Sequence, residues 1–150
     1  MNSRDSQIKS RFSFPVTLTN DEVDGGFTVT FRDLPEAITQ GENLESALHE
    51  AADCLDEAIA VRIIRRDQIP LPSLAAQDEY LVAPPVQTSF KASIWLAMQE
   101  KNLSQSQFAN LLGVNEKEVR RILDPIHNTK LPTLERSLLA LGKRPVLHIA

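Results

Sequence analysis

The segment from Ser104 to Pro125, SQSQFANLLGVNEKEVRRILDP, holds the side chains best suited to chemistry in this chain. Asn115, Glu116, Lys117, Arg120 and Arg121 crowd into two helical turns. Ammonium and guanidinium groups grip phosphate oxygens, and a guanidinium also matches the paired acceptors on the major-groove edge of guanine. This is recognition chemistry rather than bond-breaking chemistry. The flanking residues supply elements that can position it. Ser104 is a good helix N-cap, and Gln105, Phe108, Ala109 and Leu112 follow with a helical period. Gly113 suits a left-handed C-terminal position. Asn115 caps a second helix with Val119, Ile122 and Leu123 on its apolar side, and Asp124–Pro125 stops it. Ala109 is small where the two helices must approach. Two short helices around a glycine turn predict a helix-turn-helix, whose second helix enters the DNA major groove.

Roles follow from position. Gln105, at the start of the first helix of the pair, is placed to fix a phosphate. Asn115, Glu116 and Lys117 lead the second helix into the groove. Arg121 is the best placed for a guanine contact, Arg120 serves a phosphate or a base, and Glu116 can accept from a cytosine amino group. Thr129 and Lys130, in the loop that follows, are expected to hold the DNA backbone. One such helix buries little surface, so two copies on a palindromic operator are expected, with half-sites about one helical turn apart. The plainer alternative is a helical hairpin with a solvated charged face.

Catalytic groupings are not evident. His49, His127 and His148 are far apart in sequence, and Cys54 is the only cysteine, which excludes an intrachain disulfide or a cysteine-rich zinc site. Ser104 has no histidine near it, and Gly25–Gly26 is too short for a phosphate-binding loop. A two-metal nuclease needs several converging carboxylates. The first strand, Phe12–Thr19, carries none, and Asp33 lies alone after the second. The expectation is a non-enzyme without metal or cofactor.

The 150 residues allow one medium domain or two small ones. Charge divides them. Residues 1–85 hold 7 Lys/Arg against 15 Asp/Glu, whereas residues 86–150 hold 9 against 5, so a formal −8 is followed by +4. An acidic part joined to a basic one points to two tasks, one of them on nucleic acid. No run is apolar enough to cross a membrane and no signal-peptide pattern opens the chain, so the cytoplasm is the expected location.

The acidic part alternates like a sheet. Phe12, Phe14, Val16 and Leu18 define a first strand, with Pro15 arguing for an edge position or for bonding through its other side there; Phe27, Val29 and Phe31 define a second, joined to the first through NDEVDGG. Ala37–Gln40 predicts a short third strand broken by Gly41. Asn43 caps a long helix with an apolar stripe of Leu44, Ala47, Leu48, Ala51, Leu55, Ala58 and Ile59. Tyr80–Val82 adds a further edge strand. In the basic part, Thr88 or Ser89 caps a helix to Glu100, Pro132 opens a last helix, and Val146–Ile149 is expected to close as a strand that pairs with a second copy. The expected organisation is a flexible tail over 1–11, an αβ domain over 12–83, a linker over 84–87 and a DNA-binding, dimerising domain over 88–150.

The motifs PVTLT (15–19), GGFTVTFRDLPEAITQGENLESAL (25–48) and IPLPS (69–73), in that order, closely resemble the HicB family of bacterial antitoxins. The resemblance implies an α+β chain: a partial ribonuclease-H-like αβ domain without a catalytic carboxylate cluster, followed by an all-α domain of the lambda-repressor-like helix-turn-helix kind. It further implies a HicA-type toxin as partner, a small messenger-RNA-cleaving protein held inactive, repression of the shared operon, and assembly as a homodimer or homotetramer. A toxin that grips RNA presents a basic surface, and an acidic domain complements it. Asp21, Glu22 and Asp24 in the hairpin loop, and Asp33 and Glu36 around the next turn, are the candidate toxin contacts. The competing reading is a transcriptional regulator whose αβ domain senses a small molecule.

Overall fold

The computed structural model describes residues 10–149. The chain is α+β and divides into two compact units, Met1–Ala58 with Ile69–Pro84, and Ile59–Gln68 with Pro85–Ala150. Three strands, β1 (Phe14–Asn20), β2 (Phe27–Phe31) and β3 (Ile38–Gly41), precede the long helix α1 (Leu44–Arg65); β4 (Tyr80–Val82) follows it. Helices α2 (Val86–Glu100), α3 (Gln105–Leu112), α4 (Glu116–Leu123) and α5 (Leu131–Ala140) complete the chain.

In the first unit the sheet is antiparallel throughout, in the order β3-β2-β1-β4. The register sets Val16 against Phe31 and Leu18 against Val29, so the apolar half of each alternation shares one face. Phe14, Val16, Val29, Phe31, Leu34 and Ala37 are buried there, together with Ala47, Ala51 and Leu55 of the α1 stripe. Asn43 starts α1 as expected: its Oδ1 accepts from Ser46 N at 2.8 Å. Gly41 ends β3 where the chain passes close to the helix, and a Cβ there would lie 2.4 Å from both N and Cα of Ala47.

β1 takes the second of the two places that Pro15 leaves open. It is interior, flanked by β2 and β4. Pro15 is tolerated because pairing with β2 begins only at Val16, so a missing donor at position 15 interrupts no ladder on that side. The long return from α1 to β4 is tied down by polar bridges. Asp33 accepts from Ser73 N at 2.8 Å and from Ser73 Oγ at 2.5 Å. Arg32 donates to Leu74 O and to Glu79 Oε1, the latter at 2.7 Å. Arg11 donates to Ile69 O and Pro70 O at 2.8 and 2.7 Å, so it is anchored rather than part of a loose tail; Ser10 is exposed, and residues 1–9 of that expected tail lie outside the described residues.

In the second unit Ile94, Met98, Phe108, Ala109, Val119, Ile122, Leu134, Leu138 and Leu141 form one buried cluster drawn from α2 to α5. α2 begins at Val86 with Pro85 at its N-cap, not at Thr88 or Ser89, and it takes up Val86 and Gln87 of the expected linker. Pro85, at φ −54°, is already shaped for a helix start. Residues 143–149 form no strand; Val146, Leu147 and Ile149 are exposed. Among the described residues, no strand lies beside them.

α3 opens with a full capping box, Ser104 Oγ accepting from Gln107 N at 3.1 Å and Gln107 Oε1 from Ser104 N at 2.8 Å. Replacing Ser104 by Ala is expected to lower the stability of this unit by about 1 kcal/mol, read as a shift in the urea midpoint followed by Trp95 fluorescence.

Candidate functional site

α3 and α4 carry most of the side chains expected to contact DNA. Gly113 adopts φ 70° between them, and its N–H and that of Val114 close the end of α3 on Asn110 O and Ala109 O. Asn115 Oδ1 accepts from Glu118 N at 2.9 Å, which starts α4 and commits that side chain to the cap. Val119, Ile122 and Leu123 are buried, so the opposite face must point outward. Glu116, Lys117, Arg120 and Arg121 all lie exposed on it, and Gln105 is half-buried at the start of α3.

The two guanidiniums are loosely held. Arg120 stands 4.0 Å from Glu116 and Arg121 3.6 Å from Glu118, in pairs exposed on both sides. Such pairs contribute little to stability and exchange readily for a stronger anion. Glu118 was not among the residues singled out by sequence. Its spacing of three from Arg121 was the available signal.

Thr129 is a correction. It is buried, and its hydroxyl accepts from Lys91 Nζ at 2.8 Å while its N–H donates to Gln87 Oε1 at 2.6 Å. Its side chain faces inward, whereas neighbouring Lys130 is exposed at the N-cap of α5. Lys91 and Gln87 were missed by sequence reasoning. A signal existed: Lys91 falls on the same stripe of α2 as Ile94, Trp95 and Met98, where an apolar residue belongs.

The acidic candidates separate into two places. Asp21 and Asp24 line an open cleft together with Glu42 and Glu50, which sequence reading had not joined to them; Phe27, Gln40 and Ser46 share its wall. Asp21 also closes the hairpin loop, its Oδ1 accepting from Val23 N and Asp24 N at 3.0 Å, and these bonds hold its carboxyl below the usual range. Glu22 is exposed on the same loop. Asp33 and Glu36 lie beyond the far end of β2 and do not line this cleft. Asp33 has both oxygens engaged by Ser73, which gives it a structural task instead of a free acidic surface. Among the described residues, no three His, Cys, Asp or Glu are grouped to hold a metal, and no helix is long and apolar enough to cross a membrane.

Comparison with known proteins agrees with the N-terminal motifs. Residues 13–93 match the model of a family described as the HicB-like antitoxin of bacterial toxin-antitoxin systems. The chain is 38% identical over 142 residues to Antitoxin HicB 1 of Photorhabdus laumondii, covering 95% of this chain and 90% of that protein. It is 32% identical over 130 residues to Antitoxin HicB of Escherichia coli K12, covering 87% and 94%, and 29% identical over 143 residues to Antitoxin HicB of Pseudomonas fluorescens, covering 95% and 98%.

Proposed function

Since the chain belongs to the HicB-like antitoxin family, and is thus a regulatory protein of a toxin-antitoxin system rather than an enzyme, we propose that it acts through two surfaces in the cytoplasm. Residues 12–83 bind and inhibit a HicA-type mRNA-cleaving toxin. Residues 88–150 form a helix-turn-helix domain that binds a palindromic operator as a dimer or tetramer and represses the shared operon.

The observation that carries the second half of this reading is the outward face of α4. Lys117, Arg120 and Arg121 stand exposed on a short helix whose other face is locked into the core by Val119, Ile122 and Leu123. A rigid element presenting mobile cations fits a groove lined with phosphates and base edges. Supporting the first half are the family match and the cleft of Asp21, Asp24, Glu42 and Glu50, which suits a basic protein surface.

Two measurements test the reading. The tagged chain should copurify with a small basic protein encoded beside it and rescue growth when that protein is expressed. Failure of both ends the antitoxin assignment for these surfaces. A duplex spanning the chain's own promoter should be retarded by the purified chain. Arg121→Ala is expected to weaken this binding by about 1–3 kcal/mol at one base pair per half-site, whereas Lys130→Ala should weaken all sequences alike and flatten the salt dependence. Unchanged affinity and base preference in the first variant would remove Arg121 from the reading face.

A further inference from the structure

We propose that Lys91 is a positioning residue for DNA reading: its buried ammonium fixes the C-terminal end of α4, and the loop that follows, in the register the operator requires. This rests on the operator-binding reading above.

The geometry is specific. Lys91 is fully buried on α2. Its Nζ donates to Arg121 O at 3.0 Å, to Asp124 O at 2.8 Å and to Thr129 Oγ1 at 2.8 Å. An ammonium has three N–H donors, and here each has one acceptor. Two of these are main-chain carbonyls at the end of α4: Arg121 O, whose helical donor would fall at Pro125, which has no N–H, and Asp124 O at the C-cap, which also accepts from His127 N at 3.1 Å. A positive charge there also complements the helix dipole. One turn earlier on α2, Gln87 grips the same loop: its Nε2 donates to Asn128 Oδ1 and to Thr129 O, both at 3.1 Å, and its Oε1 accepts from Thr129 N at 2.6 Å. Asp124 Oδ1 accepts from Ile126 N at 3.0 Å and completes the turn. The carbonyl that Lys91 holds on Arg121 belongs to the residue whose guanidinium is proposed to read a base. Rotation of α4 would therefore move that guanidinium and break the Lys91 bond together.

An apolar side chain of the same length would fill this space without burying a charge, which is often at least as stable. What only the ammonium supplies is direction. Burial pushes the Lys91 ammonium down from 10.5 to about 8, with the charge of Asp124 pulling the other way. The other charged groups on the packed elements are Glu116, Lys117, Arg120 and Arg121 on α4, His127 and Lys130 on the loop, and Glu135 and Arg136 on α5, all exposed, with half-buried Glu118 paired to Arg121. Above about 8 the amine keeps two N–H groups for three acceptors. Since the folded value lies below the unfolded one, the unfolded chain binds more proton between about 8 and 10.5, and stability from this group rises with pH there. Loss of DNA binding in that window is then not unfolding.

The test is the affinity of the full chain for its promoter duplex from pH 7 to 9.5, alongside its thermal midpoint. The wild type should lose roughly tenfold in affinity, the scale of one hydrogen bond, with no fall in the midpoint. Lys91→Met should bind more weakly at pH 7 and lack the step. Lys91→Arg, charged throughout, should lack it too, and serves where the first variant folds poorly. A wild type that keeps its affinity to pH 9.5, or a Lys91→Met chain that shows the same step, overturns the proposal while leaving operator binding intact. A wild type that binds no promoter duplex at pH 7 overturns both.

Discussion

A Gly41→Val chain is expected to lose the stability of its sheet unit, by about 3 kcal/mol, and with it the proposed capture of a basic toxin. The reason is where the added Cβ would go. It would lie 2.4 Å from Ala47 N and Cα and 2.9 Å from Ala47 Cβ. These are atoms of the first turn of α1, which cannot rotate aside as a flexible side chain can. Ala47 N is itself held by Asn43 O at 2.9 Å, the opening bond of the helix, and Ala47 is fully buried. Relief requires either β3 to leave β2 or α1 to tilt off the buried face of the sheet. The measurement is urea unfolding followed by two signals. Far-UV circular dichroism reports both units, while Trp95, the single tryptophan, reports the helical unit alone. The circular dichroism transition should shift to lower urea or split, and copurification with the partner should fail. An unchanged midpoint would mean that the approach of β3 to α1 is softer than these distances imply.

The features legible in the sequence were the local ones. Asn43, Ser104 and Asn115 each cap a helix through an N–H only three residues away, so residue type and spacing sufficed. Gly113 and the alternations of Phe14–Leu18 and Phe27–Phe31 are readable for the same reason. What escaped depends on residues distant in sequence. The interior place of β1 is decided by β4, some sixty positions on, while Pro15 taken alone leaves an edge and a one-sided ladder both open. Asp33 looked like a surface carboxylate because its partner, Ser73, is forty residues later. Pro84–Pro85 read as a linker, although the second proline is the natural start of a helix. Thr129 reads as a contact to the DNA backbone, since a polar residue in a loop is usually exposed. The Lys91 that turns it inward lies 38 positions upstream. Such pairings are fixed by tertiary packing, and no window of ten or fifteen residues contains both partners.

Neutralising the acidic cleft without changing its shape is expected to slow capture of the proposed basic toxin while leaving the finished complex long-lived. The variant Asp21→Asn, Asp24→Asn, Glu42→Gln, Glu50→Gln removes four negative charges from one cleft. Asparagine at 21 still has a carbonyl oxygen to accept from Val23 N and Asp24 N, so the hairpin loop keeps its shape. Exposed carboxylates act mainly through the field they create before contact, because in the complex their attraction is offset by lost hydration. The association rate at low salt should therefore fall by about 10–100-fold, with a dissociation rate within a few-fold of the wild type. Raising salt toward 1 M shortens the Debye length to about 3 Å and should bring the two association rates together. Surface plasmon resonance at several ionic strengths separates the two rates. A change confined to dissociation would place these carboxylates in the buried contact itself, and no change in either rate would move the partner's docking surface away from this cleft.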